Sequence, residues 1–199
     1  MIQSQEVSAD NKGLILHVSS DEFIKIFYEG NKDWPASIRV EFESNIWKLE
    51  HFANMIPLDN LYATDKNKKY AADITVVIGD INNLFVALIG LFSVFFIDFS
   101  KKTGRTVYEI KERSIEDDPG FYKNSVIHLD DGFIFNFEYG IVKIDDRGRV
   151  LWESKLVYGD SFKEINNQKI VFINEDDEEF FINLNNGLRN DSYRDSNRN

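Results

Sequence analysis

The segment VKIDDRGRVLWE at residues 142–153 decides the fold, because its pattern is that of one hairpin. An Ile-Asp pair ending at Asp145 finishes a strand, Gly148 opens the return, and Trp152 lies near the end of the second strand. Glycine supplies the positive φ that a tight hairpin needs, and an aspartate side chain accepts hydrogen bonds from turn amides. We expect the indole of Trp152 to wedge between neighbouring sheets, so the segment predicts a hairpin within a stack of sheets.

The same order recurs on both sides of this segment. FFIDFSKKTGRTVYE at residues 95–109 repeats the Ile-Asp, the glycine, the arginine and the aromatic-Glu pair. EEFFINLNNG at residues 178–187 repeats the first half, as far as the glycine. A strand-turn-strand pattern precedes each copy, at residues 73–89, 124–137 and 161–173. Repeated units of four short strands predict antiparallel meander sheets.

The repeated pattern, Ile-Asp followed by Gly-Arg-x-x-(Trp/Tyr)-Glu, resembles the blades of PQQ-like β-propellers. The resemblance covers residues 73–187 and implies four-stranded antiparallel sheets packed face to face. Two copies are complete, whereas a closed propeller has about 4–8 blades. We therefore expect a mostly β fold, with meander sheets stacked as a partial, open or incomplete propeller-like array. Nothing in the chain resembles the cofactor site of the quinoprotein enzymes, so the resemblance implies no cofactor.

The remaining segments fit the repeat poorly. Residues 1–72 predict N-terminal strands and one short helix near residues 45–56, and residues 188–199 predict a polar flexible tail of the same single domain. The helix is predicted because apolar residues recur at helical spacing between a capping asparagine and a proline stop. The residues concerned are Asn45, Ile46, Leu49, Phe52, Ala53, Ile56 and Pro57.

Composition excludes several classes of protein. The chain has 199 residues, no cysteine, 34 acidic against 23 basic residues and a net charge of −11, so a disulfide framework is excluded and nucleic acid is disfavoured as a partner. The longest apolar stretch, residues 84–97, has 14 residues, and a membrane-spanning helix needs about 20. The N-terminus lacks the pattern of a secretory signal. We expect a cytoplasmic protein that does not bind membranes.

No catalytic motif appears in the sequence. The three histidines have no partner at metal-ligand spacing, and the nucleophile elbow, the Walker loop and the dinucleotide fingerprint are absent. We expect no metal, no cofactor and no catalytic residue. A pair of carboxylates brought together by the fold is the one enzymatic alternative, and it would make the protein a carboxylate-dependent hydrolase.

The distribution of charge is more informative. Residues 109–179 contain 18 acidic and 9 basic residues, and the acidic ones cluster in predicted turns. The turns of stacked meanders emerge at two rims, so we expect several clusters to converge on one face that binds a basic protein. The candidate partner-binding residues are Glu116, Asp117, Asp118, Asp130, Asp131, Tyr139, Asp145, Asp146, Tyr158, Glu175, Asp176, Asp177, Glu178 and Glu179.

In size, acidity and lack of catalytic motifs the chain is similar in type to bacterial immunity proteins, which block nuclease toxins. This resemblance implies carboxylates that mimic nucleic-acid phosphates and a fast, salt-sensitive association with a basic toxin domain. A general propeller-like interaction scaffold is the main non-enzymatic alternative, and acidic turns also serve solubility alone. The sequence sets neither the identity of the partner nor the oligomeric state.

Overall fold

A computed structural model describes residues 4–7, 13–18, 21–31, 34–58, 69–79, 84–110, 121–137 and 139–191. These residues form 18 β-strands and no helix, and every strand pairing among them is antiparallel. The predicted mostly β class is confirmed. Within these residues, no helix has the length and apolar character needed to cross a bilayer.

The chain divides into two compact units, Met1–Arg113 and Ser114–Asn199. The first unit contains a six-stranded sheet with strand order β1-β2-β3-β4-β5-β6 and a four-stranded sheet with order β10-β9-β8-β7. The strands are β1 (Ser4–Val7), β2 (Gly13–His17), β3 (Phe23–Asn31), β4 (Trp34–Phe42), β5 (Asn45–Leu58), β6 (Lys69–Asp73), β7 (Thr75–Ile78), β8 (Phe85–Ile89), β9 (Ser93–Asp98) and β10 (Thr103–Glu109).

One apolar core joins the two sheets of the first unit. Alternating residues of β3 and β4, such as Ile24, Ile26 and Val40, are buried in the same cluster as Val86 and Phe95 of the second sheet. Alternation of this kind is what a strand with one buried face requires. The core therefore follows from the period-two pattern of the N-terminal strands.

The predicted helix at residues 45–56 is wrong, because this segment lies within strand β5 (Asn45–Leu58). Asn45 does not cap a helix but pairs with Phe42 across a tight turn. Further along, three residues of β5 (50–52) lie opposite the single residue Ser37 of β4, and His51 has a φ of 51° in this bulge. A bulge breaks the alternation of a strand, so the apolar residues on either side of it recur at a spacing that imitates a helix.

The second unit contains two four-stranded meanders, with orders β11-β12-β13-β14 and β15-β16-β17-β18. Trp152 is buried in the core between them, and its indole Nε1 donates to the Leu184 carbonyl oxygen at 3.0 Å. The predicted wedge is thereby confirmed. The strands are β11 (Phe121–Leu129), β12 (Gly132–Phe137), β13 (Gly140–Asp145), β14 (Val150–Lys155), β15 (Ser161–Asn166), β16 (Lys169–Ile173), β17 (Glu179–Asn183) and β18 (Arg189–Asp191).

The three predicted repeats each form one four-stranded sheet, although their glycines differ in role. Gly148 has the expected positive φ of 70° in the β13–β14 turn. In the β9–β10 turn it is Lys102 that has positive φ, at 54°. A Cβ on Gly104 would lie 2.8 Å from Phe95 Cζ and 2.9 Å from Trp47 Cε2. Glycine is needed there because two aromatic rings approach the backbone closely.

The third repeat extends further than its sequence pattern indicates. Residues 188–199 were predicted to form a tail, yet Arg189–Asp191 form β18 and pair with β17. Residues 192–199 lie outside the described residues. The added strand completes the meander, so the third sheet has the same four-stranded topology as the two before it.

Candidate functional site

The strands of the second unit run between two ends. We call the end that carries the β11–β12 and β13–β14 turns the Asp145 end, and the opposite end, with the β14–β15 and β16–β17 connections, the Tyr158 end. Lys143 Nζ lies 2.8 Å from Asp131 Oδ2 at the Asp145 end. At the Tyr158 end, the Leu156 amide donates to the Tyr139 carbonyl at 2.9 Å.

The predicted binding residues are divided between these ends. Asp130, Asp131, Asp145 and Asp146 lie together at the Asp145 end, whereas Tyr139, Tyr158 and the turn from Glu175 to Glu179 lie at the Tyr158 end. Glu116, Asp117 and Asp118 fall outside the described residues. The described acidic clusters therefore do not share one face.

Carboxylates at the Asp145 end are engaged within the fold. Asp145 is only 5% exposed, and its Oδ1 accepts from the amides of Arg147 at 3.0 Å and Arg149 at 2.8 Å. Its Oδ2 accepts from Arg149 Nε at 2.7 Å. Asp131 holds the ammonium of the buried Lys143. The expected role of aspartate as an acceptor for turn amides is confirmed here, and these two groups stabilise turns rather than present free charge.

The Tyr158 end contains a cleft and an exposed apolar patch. Val157, Tyr158 and Phe162 are 61%, 63% and 47% exposed, which is high for large apolar side chains. Tyr158 and Phe162 line a cleft of about 320 Å³. The cleft is lined by Asn136, Phe137, Leu156, Tyr158, Gly159, Asp160, Ser161 and Phe162.

Asp160 fixes the loop that carries this patch. Its carboxylate is 3% exposed, and Oδ2 accepts from the Val157 amide at 2.7 Å and from Arg189 at 3.2 Å. The Arg189 guanidinium in turn lies 3.6 Å from the centroid of the Phe180 ring. The β14–β15 loop is thus tied to the last strand, so Tyr158 is presented from a loop with a fixed conformation.

The acidic turn between β16 and β17 is built on an asparagine. Asn174 Oδ1 accepts from the amides of Asp176 at 3.0 Å and Glu178 at 2.8 Å. The exposed carboxylates of Glu175, Asp176 and Asp177 make no ion pair with any residue of the described chain. Because the side-chain oxygen of Asn174 already accepts the hydrogen bonds of the turn's backbone amides, these three carboxylates remain available to a partner.

Glu175 brings this turn against the cleft. Its side chain lies over Gly159, where a Cβ would be 2.7 Å from Glu175 Cδ. Gly159 also has a φ of 92°, a backbone conformation that side chains disfavour. The positive φ favours glycine at 159, and the absence of a Cβ lets the Glu175 side chain lie against this lining residue of the cleft.

The last two predicted acidic residues are partly engaged. Glu178 Oε2 accepts from Asn174 Nδ2 at 3.2 Å. Glu179 is ion-paired with Lys163, and the side-chain hydrogen bond between them raises the pKa of Lys163. These contacts leave Glu175, Asp176 and Asp177 as the exposed charge of the site.

Tyr158 and the acidic turn are among the residues predicted from the sequence, but Val157, Asp160 and Phe162 are not. Phe162 falls in a predicted strand, and Asp160 enters only the count of charges. One signal was available: Gly159-Asp160 is a turn dipeptide, and it follows the apolar pair Val157-Tyr158. The register shift between Phe162 and Glu164 on β15 cannot be seen in the pattern.

No group of three or more histidine or acidic side chains suited to a metal ion occurs in the part of the chain that the structure describes. Comparison with models of protein families and with curated protein sequences finds no match for this chain.

Proposed function

We propose that the protein is a non-enzymatic binding protein that neutralises a basic protein partner through its Tyr158 end. The observation that carries the proposal is the exposed apolar patch of Val157, Tyr158 and Phe162 beside three carboxylates that form no ion pair within the described part of the chain. Protein interfaces commonly combine an apolar or aromatic centre with a polar rim. Tyrosine in particular is enriched among residues that dominate binding energy.

Charge and apolar area have separate roles in this proposal. The net charge of −11 attracts a cationic partner from a distance and raises the association rate. Desolvation of Tyr158 and Phe162 in the complex slows dissociation, which is where most differences in affinity between related complexes arise. The binding is accordingly strong at low salt and weaker, but not abolished, at high salt.

The more specific form of the proposal is a toxin-immunity function. The partner is then a basic toxin domain, such as a nuclease, and the exposed carboxylates occupy its phosphate-binding groove. Neutralisation of this kind takes place in the cytoplasm, where the toxin would reach nucleic acid. The three successive four-stranded meanders support the resemblance to PQQ-like blades, and we propose a propeller-like array as the framework that presents the surface.

Co-expression with a basic toxin domain encoded by an adjacent gene tests this function. We expect the protein to restore growth and to bind the purified domain, with association at least about tenfold slower at 300 mM than at 50 mM salt. Failure to restore growth, together with unchanged elution of the mixture at low salt, would contradict the proposal.

A matched pair of double variants locates the surface. Tyr158→Ala with Phe162→Ala removes apolar area at the Tyr158 end, and Val150→Ala with Leu151→Ala removes exposed apolar area at the Asp145 end. We expect the first pair to weaken binding at least about tenfold, as hot-spot residues do, and the second to leave it within about twofold. The reverse result would assign binding to the other end.

One observation favours a second candidate function, a general interaction scaffold. Val150, Leu151 and Leu188 are also exposed, at an end where Asp131 and Asp145 are already paired. A partner bound there would meet apolar area with little available charge. Such binding would show weak salt dependence, whereas the neutralising function predicts a strong one.

A further inference from the structure

We infer that the cleft at the Tyr158 end receives an arginine side chain of the partner, with Glu175 as its counter-charge. This inference rests on the proposed function and names the group that the surface recognises.

The walls of the cleft suit a planar cation. Tyr158 and Phe162 supply exposed aromatic rings, and Asn136 and Ser161 supply polar groups. A guanidinium stacks on aromatic faces and is more weakly hydrated than an ammonium, so it is the cation that such a lining favours. The volume of about 320 Å³ is at the small end of the range for ligand pockets, which fits one side chain better than a large cofactor.

Asp160 is the carboxylate that lines the cleft, and its Oδ2 already accepts from the Val157 amide and from Arg189. Glu175 does not line the cleft but lies beside it, against the lining residue Gly159. Its carboxylate is exposed and makes no ion pair with a described residue, so it is the counter-charge that an entering cation would meet. A carboxylate can accept two parallel N–H bonds from one guanidinium, which gives direction as well as attraction.

The protein already binds its own arginines in this manner. Arg189 lies over the ring of Phe180 and contacts the carboxylate of Asp160. In the first unit, the guanidinium of Arg39 lies 4.7 Å from the Phe27 ring centroid and 3.4 Å from Glu41 Oε1. The cleft has exposed aromatic side chains, and the exposed carboxylate of Glu175 lies against its lining residue Gly159, so it offers an arginine of the partner the same two kinds of group.

Three short peptides test the inference on the full chain. The probes are Ac-Gly-Arg-Gly-NH2, the same peptide with citrulline, which is neutral and nearly isosteric, and the same peptide with lysine. Titrations are followed by amide chemical shifts. We expect the arginine peptide to shift Tyr158, Gly159, Phe162 and Glu175, and to bind roughly fivefold more tightly than either of the others.

Two charge-neutralising variants separate the site from general attraction. Glu175→Gln should weaken the arginine peptide roughly fivefold, whereas Glu109→Gln, an exposed carboxylate of the first unit, should leave its affinity unchanged. Thermal melts of both variants verify folding. Equal binding of citrulline or lysine, shifts confined to other residues, or an equal effect of the two variants would overturn the inference.

Failure of this inference and failure of the proposed function give different results. If the basic toxin domain binds the protein but tolerates Glu175→Gln and is not displaced by the arginine peptide, the arginine site is wrong and the neutralising function stands. If the peptide binds as expected but the toxin domain does not, the arginine site stands and the proposed function fails.

Discussion

The two ends of the second unit are both rich in acidic residues, yet they use them differently. At the Asp145 end the residue that closes the turn is itself an aspartate, and its carboxylate accepts hydrogen bonds from two backbone amides and from Arg149. At the Tyr158 end Asn174 closes the turn, and the next three residues, Glu175, Asp176 and Asp177, are exposed and form no ion pair with a described residue. A count of acidic residues per turn therefore overestimates the charge offered to a partner. Whether the residue that closes the turn is an aspartate or an asparagine determines how many of its carboxylates stay exposed.

Replacement of the closing aspartate should have the largest effect. Asp145→Ala leaves two turn amides and Arg149 without their acceptor in a buried position, so we expect the free energy of unfolding to fall by about 2–3 kcal/mol. Asp130→Ala, at an exposed position of the same end, should change it by less than about 0.5 kcal/mol. Urea titrations of the two variants provide the comparison, and equal losses would contradict the distinction between engaged and exposed carboxylates.

At the Tyr158 end the buried carboxylate of Asp160 is engaged, and its removal should have the next largest effect. Asp160→Ala removes the acceptor of the Val157 amide and the partner of Arg189, so we expect a loss of about 1–2 kcal/mol. Hydrogen exchange should show faster exchange of the Val157 amide, because the loop is no longer tied to β18. An unchanged exchange rate would mean that other contacts fix the loop.

Neutralisation of the open carboxylates should affect association rather than stability. In the triple variant Glu175→Gln, Asp176→Asn, Asp177→Asn no internal ion pair is lost, so the free energy of unfolding should stay within about 0.5 kcal/mol. Association with a basic toxin domain at low salt should slow by about tenfold, since steering depends on exposed charge. A large loss of stability would show that this turn, like that of Asp145, is held by its carboxylates.

Much of the fold could be predicted from local patterns. The pattern of residues 142–153 predicts both the turn of the hairpin and the burial of Trp152, because both depend on residues close in sequence. The strand β5 was missed because the bulge at His51 shifts the period, and a bulge is set by the opposing strand β4. The register between two paired strands depends on both of them, so the pattern of β5 alone does not reveal the bulge.

Only part of the candidate site could be predicted from the sequence, for a related reason. Acidic residues can be counted in a sequence, but whether a carboxylate stays exposed depends on which side chain accepts the hydrogen bonds of the turn amides. Asn174 and Asp145 occupy similar places at strand ends and differ by a single functional group. The apolar half of the site needed the structure, since the exposure of Phe162 depends on a register shift between β15 and β16.

The smallest expected effect extends the comparison to the first unit, where Asp98 closes the β9–β10 turn as Asp145 closes its own. Burial acts to raise the pKa of Asp98, but hydrogen bonds from Lys101 and Ser100 outweigh it and lower the pKa below the usual 3.8. A carboxyl whose pKa is lowered by folding stabilises the folded state fully above its unfolded pKa, and this contribution is lost as pH falls through the folded value. The difference in unfolding free energy between the unaltered chain and Asp98→Asn should therefore be constant above about pH 5 and shrink below pH 3.8. Urea titrations across this range measure it, and a difference that grows on acidification would show that the turn does not favour the charged carboxylate.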